Sequence, residues 1–293
     1  MEKFAPFNMT PEELIDYTPD WTGERFEDGR PKVPDNIIER MRQVTITQAW
    51  GVLRGDGYHH QYADGFVCTH PGGVLVGRAL TALYMPRRPE MRRVMEENGH
   101  EEGRIGAMNS WPIDMLVPGD VYVADVYGKI DQGAVMGDNL ATSILAKSGN
   151  GVVHDAAVRD IDGIQELPGF TSFVRGLHPT FASPTIMLTG VNCPIRIGKV
   201  TVMPGDVVLG RQDGVVFIPP HLAEKVVKTS ELIALRDQFG QERLRAGIYT
   251  SGQIDRRWED AIEADFSRWL EAHIDELPVP KAAIQELLQE RTW

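Results

Sequence analysis

Two short polar segments carry the residue types that bind small anions and metal ions. Residues 137–140, Gly-Asp-Asn-Leu, begin a stretch of helical pattern, and the pair Arg159-Asp160 follows an apolar run typical of a buried strand. Backbone N–H groups at a helix start bind anions, and an arginine binds a carboxylate through two N–H groups. An aspartate oxygen binds a hard divalent cation. The two segments together indicate a site for a small anion and a metal ion.

Each of these residues has a simple alternative role as well as a chemical one. We expect Asn139 and Leu140 to offer backbone N–H groups to a carboxylate and Arg159 to bind the same anion. Asp160 would then hold a cation by one oxygen. However, an Arg-Asp pair after a strand is often only a solvated turn, and Asp138 by itself can be a helix N-cap. Spacing alone leaves both interpretations open.

The surrounding pattern predicts an α/β core that would bring the two segments together. A helix is expected over residues 139–147, and a buried strand over residues 151–158. Two Pro-Gly-Asp turns, at residues 118–120 and 204–206, each precede an apolar strand. Ligands of open α/β sheets bind beyond the carboxyl ends of the strands, so the site is expected at that edge.

The rest of the chain predicts one core with two helical extensions. We expect an arm and helix over residues 1–45, an α/β core over 46–235, and a helical extension over 236–293 that packs on the core or on a neighbouring subunit. Within the core, two strands are expected at 73–77 and 79–83. A helix at 90–97 is expected to end at Asn98-Gly99.

Composition excludes several classes of function. The chain has 30 Lys and Arg against 42 Asp and Glu, a net charge of -12, which argues against nucleic acid or an anionic membrane as partner. Cys68 and Cys193 are far apart, so zinc-ribbon and thioredoxin-like sites are excluded, and two lone cysteines fit a reducing compartment. With no leader pattern and no long apolar run, we expect a cytoplasmic protein.

Six short motifs follow one another in a specific order: LVGRALT at 75–81, GDVYVAD at 119–125, GDNLA at 137–141, VRD at 158–160, NCPI at 192–195 and PGDVV at 204–208. In this order they resemble the RraA-like family. That family includes the divalent-metal 4-hydroxy-4-methyl-2-oxoglutarate/4-carboxy-4-hydroxy-2-oxoadipate aldolases and the regulators of ribonuclease activity. The resemblance covers roughly residues 47–247.

The resemblance implies a fold, an assembly and a metal. The fold would be α/β, the family's swivelling β/β/α sandwich, here with helical N- and C-terminal extensions. The assembly would be a homotrimer or a dimer of trimers, with the active site at a subunit interface. Asp160 would bind Mg²⁺ or Mn²⁺, otherwise largely through waters. Arg159 would hold the carboxylate and the enolate oxygen of a pyruvate unit.

The resemblance also implies further site residues. Gly137 and the backbone of residues 139–140 would complete the substrate cradle, and Asp138 would orient a metal-bound water. An acid from the C-terminal region would assist; Glu242 is the candidate and Asp237 the second choice. His178 falls where the family keeps a loop near the site, so it is a candidate substrate contact, together with Arg175.

Several positions depart from the family pattern or admit other roles. An Asp that is common after the last Pro-Gly-Asp turn is replaced by Arg211. His154, on the strand that leads to Arg159, is better explained as a core histidine than as a site residue. Lys129 could form a Schiff base only if it were buried, and its Gly- and Asp-rich surroundings suggest a loop.

These observations predict a metal-dependent lyase of class II aldolase type. Its substrate would be a small anionic 2-oxo or hydroxy acid, cleaved by retro-aldol reaction or decarboxylated through a pyruvate enolate. Asp160, which the ribonuclease regulators lack, favours an enzyme. Two alternatives stay open: a metal-dependent dehydratase or isomerase of a sugar-derived acid, and a non-enzymatic regulator that binds a protein partner.

Overall fold

The computed structural model describes residues 7–277 and 279–290 and divides into two compact units, residues 1–227 and 228–293. The strands of the first unit are β1 Phe7–Asn8, β2 Tyr62–Ala63, β3 Val67–Cys68, β4 Leu75–Pro86, β5 Asp120–Ala134, β6 Val152–Val158, β7 Ser172–Leu177, β8 Ile186–Val191, β9 Ile195–Ile197, β10 Val200–Val202, β11 Val207–Arg211 and β12 Gly214–Ile218.

The helices are shorter on average in the first unit than in the second. They are α1 Pro11–Tyr17, α2 Asp35–Met41, α3 Ile46–Gly55, α4 Pro89–Glu101, α5 Trp111–Asp114, α6 Asp138–Ser148, α7 Ile161–Gln165, α8 Ala223–Arg245, α9 Ser251–Ile254, α10 Asp260–His273 and α11 Lys281–Glu290, with a 3-10 turn at Pro220–Leu222. Among the described helices, none combines the length and apolar character that a membrane crossing requires.

A mixed sheet forms the centre of the first unit. Its strand order is β2-β12-β11-β4-β5-β6-β7-β3, and the four strands β4 to β7 run parallel. Strand β4 is long enough to pair with β5 along one side and with both β11 and β8 along the other. The carboxyl ends of β5 and β6 therefore meet at one edge, where the chain continues into α6 and α7.

Side-chain alternation along β5 divides the core into layers. Val121 and Val123 face the hairpin of β9 and β10, whereas Tyr122 and Ala124 face the helices α5, α6 and α7. Successive strand residues point to opposite faces, so one strand serves both interfaces. The result is the predicted three-layer arrangement of a small β layer, a central sheet and a helical layer.

Two expectations for the elements were wrong in detail. The apolar runs at 73–77 and 79–83 form the single strand β4, because Arg78 between them is itself buried and donates to Val33 O. Helix α4 does not end at Asn98-Gly99 but continues to Glu101. Gly99 therefore lies inside the helix, and glycine is needed there because a side chain would overlap the indole ring of Trp111.

The second unit has an aromatic core of its own. Phe239 on α8 packs against Trp258, Phe266 and Trp269, with ring centroids 5.3–5.9 Å apart. These rings and the neighbouring aliphatic side chains are buried. The amphipathic pattern of the C-terminal segment thus folds onto itself, as helices α9, α10 and α11.

Candidate functional site

Helix α6 presents unpaired N–H groups at the carboxyl end of β5. Gly137 is the N-cap, and Ala141 N–H makes the first helical bond, to Gly137 O at 3.0 Å. The three preceding N–H groups have no helical acceptor. One of them, Asn139 N–H, donates to Oδ1 of Asp138 at 2.7 Å. Within the described residues Leu140 N–H has no acceptor, so it is free to donate to an anion.

Arg159 and Asp160 follow β6 at the same edge. The backbone N–H of Arg159 donates to Met136 O at 3.0 Å, which fixes the arginine beside the start of α6. Nη1 of Arg159 lies 2.8 Å from Oδ2 of Asp160, and the two side chains are 42% and 38% exposed. The pair is thus held in place by backbone and still reachable by a ligand.

Asp160 has a left-handed backbone, and its carboxylate pairs with Arg159 but does not cap helix α7. Its φ is 56° and its ψ 45°, a left-handed conformation that non-glycine residues rarely adopt. Asp160 occupies the N-cap position of α7, yet its side chain makes no capping hydrogen bond. Strain of this kind is commonly found at functional sites. In this turn the Asp160 carboxylate therefore contacts Arg159 instead of capping α7.

Gly137 makes room for that carboxylate. A Cβ at this position would overlap Oδ2 of Asp160 and lie 3.4 Å from the Arg159 side chain. The side chain of Asp138 lies on the other side, over Gly163 of α7. Glycine at position 137 thus allows the side chains of Arg159 and Asp160 to approach the start of α6 closely.

A cavity of about 230 Å³ opens beside these groups. Of the site residues proposed from the sequence, Gly137, Asn139, Leu140 and Arg159 line it, whereas Asp138 and Asp160 do not. The other lining residues are ones that the sequence did not single out: Ala107, Asn109, residues 134–136, Phe181 and Ser183.

His178 and Arg175 have other partners. Nε2 of His178 lies 3.3 Å from Asp131, and Nδ1 accepts from Thr180 N–H. Arg175 pairs with Asp155 at 2.5 Å and stacks on Phe66, 4.0 Å from the ring centroid. Neither residue lines the cavity. The loop after β7 instead supplies Phe181, whose backbone bridges to Ala134.

Glu242 and Asp237 belong to helix α8 in the second unit. Glu242 accepts from Trp269 Nε1 and from Arg243 Nη1, both at 2.9 Å. Burial raises the pKa of Asp237 above its ordinary value, although Arg236 opposes the shift. The assistance of either acid in catalysis stays a prediction. Within the described residues there is no group of three or more His, Cys, Asp or Glu side chains arranged to hold one ion.

The remaining candidates have structural environments. His154 is buried against Tyr122, with ring centroids 4.8 Å apart, and burial lowers its pKa to about 3, so it is a neutral core residue. Lys129 lies within β5 rather than in a loop, and it is half-buried. Arg211 donates Nε to Val44 O at 2.7 Å and joins β11 to the segment between α2 and α3.

Comparison with known proteins confirms the family and the fold class. A family model described as RraA-like (Aldolase/RraA) matches residues 45–217. Protein DlpA of Legionella pneumophila is 29% identical over 189 residues, 64% of this chain and 28% of that protein. A putative 4-hydroxy-4-methyl-2-oxoglutarate aldolase of Halalkalibacterium halodurans is 35% identical over 114 residues, 39% of this chain and 53% of that protein. The chain thus spans about a quarter to a half of these relatives' lengths.

A solved structure shows the same fold. RraAS2 of Streptomyces coelicolor, described as an unusual member of the RNase ES inhibitor RraA protein family, superposes with a TM-score of 0.59. The two chains are 24% identical, and the match covers 72% of this chain and 98% of that one. At that identity the likeness concerns the fold alone. The family match, however, covers more than half of the sequence, so the chain belongs to the RraA-like (Aldolase/RraA) family.

Proposed function

We propose that this protein is a divalent-metal-dependent lyase that cleaves a carbon–carbon bond in a small 2-oxo acid. The observation that carries the proposal is the exposed Arg159–Asp160 pair, set against Gly137 at the mouth of a cavity of about 230 Å³. The name of the Halalkalibacterium relative, a putative 4-hydroxy-4-methyl-2-oxoglutarate aldolase, supports the same class of reaction.

The residues present fit a hard divalent cation. Asp160 offers carboxylate oxygen, the ligand that Mg²⁺ and Mn²⁺ prefer, and it is not engaged in capping α7. The space that a Cβ at Gly137 would fill is adjacent to that oxygen. When bound, the cation would act as a Lewis acid toward the carboxylate and keto oxygens of the substrate.

Arg159 would supply fixed positive charge where negative charge develops. Its backbone bond to Met136 O holds it in place, so little reorganisation is needed when substrate binds. The guanidinium would bind the substrate carboxylate and stabilise the pyruvate enolate, while Leu140 N–H would donate to the same anion. This arrangement favours the charge of the enolate over that of the uncleaved acid.

Retro-aldol cleavage breaks one carbon–carbon bond, with one proton lost and one proton regained. In a 4-hydroxy-2-oxo acid, loss of the hydroxyl proton lets C4 become a carbonyl as the C3–C4 bond breaks, and its electron pair forms the enolate. A proton then returns to C3 to give pyruvate. In oxaloacetate, loss of CO₂ leaves the same enolate. Asp138, whose side chain lies beside Gly163 of α7, would hold the proton during its transfer.

The apolar surface near the site supports a subunit interface there. Ile130, Leu177 and Phe181 are 44–54% exposed; Ile130 lies within β5, Leu177 ends β7, and Phe181 follows it in the chain. Exposed apolar side chains in one region commonly mark an interaction surface. We include a homotrimer or a dimer of trimers in the proposal. We also place the protein in the cytoplasm, because the thiols of Cys68 and Cys193 are free.

Two other functions are compared by the same experiment. The Arg159 charge would stabilise an enediolate as well as an enolate, so dehydration or isomerisation of a sugar-derived acid uses the same site. A regulator that binds a protein partner could use exposed aromatic side chains of the C-terminal segment. Its rings Trp258, Phe266 and Trp269 are buried in the second unit, which argues against that use.

A pyruvate-release assay tests the proposal. Chelator-treated protein, refilled with Mg²⁺ or Mn²⁺, is given oxaloacetate and a panel of 4-hydroxy-2-oxo acids. We expect turnover that returns with metal and disappears in Asp160→Ala. The matched control is Glu166→Gln, an exposed acid at the other end of α7, which should retain full turnover. Equal turnover of Asp160→Ala and wild type would refute the mechanism.

Turnover only with sugar-derived acids would instead favour the dehydratase or isomerase. Absence of both turnover and metal binding would favour a regulator, because Arg159 and Asp160 would then be a turn without catalytic use.

A further inference from the structure

The two Pro-Gly-Asp turns place two buried aspartates in matching positions. Oδ2 of Asp120 accepts from Val117 N–H at 3.0 Å, and Oδ2 of Asp206 accepts from Met203 N–H at 2.8 Å. Each aspartate immediately precedes or begins a strand of the central sheet. Their relative exposures are 0% and 2%. The two carboxyl groups therefore have the same backbone anchor and the same burial.

The two turns differ in the partner of the second carboxylate oxygen. At Asp120, Nη1 of the buried Arg30 lies 2.9 Å from Oδ1. At Asp206, no donor within the described part of the chain reaches Oδ1. Burial raises the pKa of both carboxyl groups; Arg30 opposes this at Asp120, whereas Asp206 reaches about 8 with only one backbone donor opposing it.

A cavity lies beside Asp206. It measures about 190 Å³, and Asp206 lines it. At roughly 30 Å³ per water, this is room for about six waters. Its other walls include Trp21, Tyr58 and His221, and Asp20 adds a second carboxylate. The cavity thus combines a buried acid with aromatic rings.

The aromatic wall is fixed by its own contacts. Arg25 donates to Thr18 O and to Trp21 O at 3.0 and 3.2 Å, which holds the segment before α2 in place. The hydroxyl of Tyr58 lies 3.3 Å from Nε2 of His221. Aromatic faces attract organic cations, and such attraction strengthens when the cation is desolvated. A preformed wall also reduces the entropy that a ligand must lose on binding.

We propose that this cavity binds a small organic cation, a guanidinium or primary ammonium group that pairs with Asp206. The ligand favours the ionised carboxylate of Asp206, as Arg30 does at Asp120, so the proton of Asp206 is released when the cation binds. Asp20 faces the same cavity and adds to its negative charge, and Trp21 and Tyr58 cover the apolar part of the ligand. The site is separate from the Arg159–Asp160 pair, which none of its lining residues contacts through a described ion pair or side-chain hydrogen bond.

Calorimetric titration of the full chain tests the site. The probes are ethylguanidinium and propylammonium, with uncharged ethylurea as the isosteric control. Asp206→Asn keeps an oxygen that can accept from Met203 N–H but removes the charge. Asp213→Asn is the matched control, because it removes an exposed charge from the turn that follows β11.

We expect one equivalent of at least one cation to bind wild type and Asp213→Asn. Binding to Asp206→Asn should be about tenfold weaker or worse, since a charge-assisted bond is lost. Ethylurea should not bind. If Asp206→Asn does not fold, Trp21→Leu serves in its place and should weaken binding about threefold. Failure of both cations to bind wild type, equal affinity for Asp206→Asn, or equal binding of ethylurea would overturn the proposal.

Discussion

Two Arg–Asp pairs in the first unit have nearly the same geometry and opposite surroundings. Arg30 and Asp120 approach to 2.9 Å, and their side chains are 1% and 0% exposed. Arg159 and Asp160 approach to 2.8 Å, and theirs are 42% and 38% exposed. The first pair joins distant parts of the sequence, whereas the second joins neighbours.

Burial, rather than the Arg–Asp contact itself, therefore decides whether such a pair stabilises the fold or remains available to a ligand. A buried charge depends on its partner, because neither member can return to water. An exposed pair contributes little to stability and stays free to exchange its partner for a ligand. The left-handed backbone of Asp160 fits this division, since the fold tolerates strain there without using the carboxylate as a cap.

Removing Arg30 is expected to have the largest effect on stability. Arg30→Ala leaves Asp120 buried without its cation, so the free energy of unfolding should fall by about 3–5 kcal/mol. Urea unfolding followed by circular dichroism measures the change. Arg159→Ala is the control and should stay within about 1 kcal/mol of wild type. Equal losses of stability in the two variants would show that burial does not distinguish the Arg30–Asp120 pair from the Arg159–Asp160 pair.

Removing Arg159 is expected to have the largest effect on activity. Arg159→Ala should lower metal-dependent pyruvate release by about a hundredfold or more, because a preorganised charge at the enolate is lost. Arg159→Lys should recover part of it, since a lysine keeps the charge but not the two-pronged contact. Steady-state kinetics at saturating metal measure both. Unchanged kcat and KM in Arg159→Ala would show that the exposed pair is only a turn.

Asp206 extends the comparison to a buried carboxyl without an arginine. Burial raises its pKa from 3.8 to about 8, so the folded protein keeps a proton that the unfolded chain releases above pH 4. Stability should therefore decline as pH rises from about 4 to 8, by at most about 1.4 kcal/mol per pH unit. Asp20, Tyr58 and His221 face the same cavity and contribute their own titration.

The decisive measurement for Asp206 is a difference between variants. Thermal unfolding from pH 5 to 8 should show a shallower decline in Asp206→Asn than in wild type or Asp213→Asn, since the other groups are common to all three. Parallel pH profiles would mean that Asp206 is already ionised in the folded protein.

Relief of strain at Asp160 is expected to have the smallest effect on stability. Asp160→Gly removes the Cβ that disfavours a φ of 56°. The free energy of unfolding should therefore stay unchanged or rise by up to about 1 kcal/mol. Metal-dependent turnover should be lost in the same protein. A destabilised Asp160→Gly would indicate that the carboxylate holds the turn together.

The sequence indicated the residues of the candidate site on α6 and after β6, but not the other residues that line the cavity. Arg159 and residues 137–140 meet because a strand, a helix start and a glycine are local features with clear signals. Phe181 could not be found in this way, since its position depends on a bridge to Ala134 that local pattern does not reveal. His178, chosen from the same loop, turns to Asp131 instead.

The elements show the same limit. Gly99 resembles a helix end in sequence, but its role is set by Trp111, which packs on it from another helix. Arg78 looks like a break between two strands, yet the carbonyl of Val33 makes its burial possible inside one strand. Arg30 gave no signal because its partner, Asp120, lies far away in the chain. Long-range partners decided each of these cases.

Mn²⁺ titration of chelator-treated protein, with and without oxalate, tests the central claim most directly. Oxalate imitates the planar enolate of pyruvate and requires no knowledge of the natural substrate. We expect that wild type binds Mn²⁺, that Asp160→Ala does not, and that oxalate tightens Mn²⁺ binding in wild type but not in Arg159→Ala. Undiminished Mn²⁺ binding by Asp160→Ala, or an oxalate effect independent of Arg159, would contradict it.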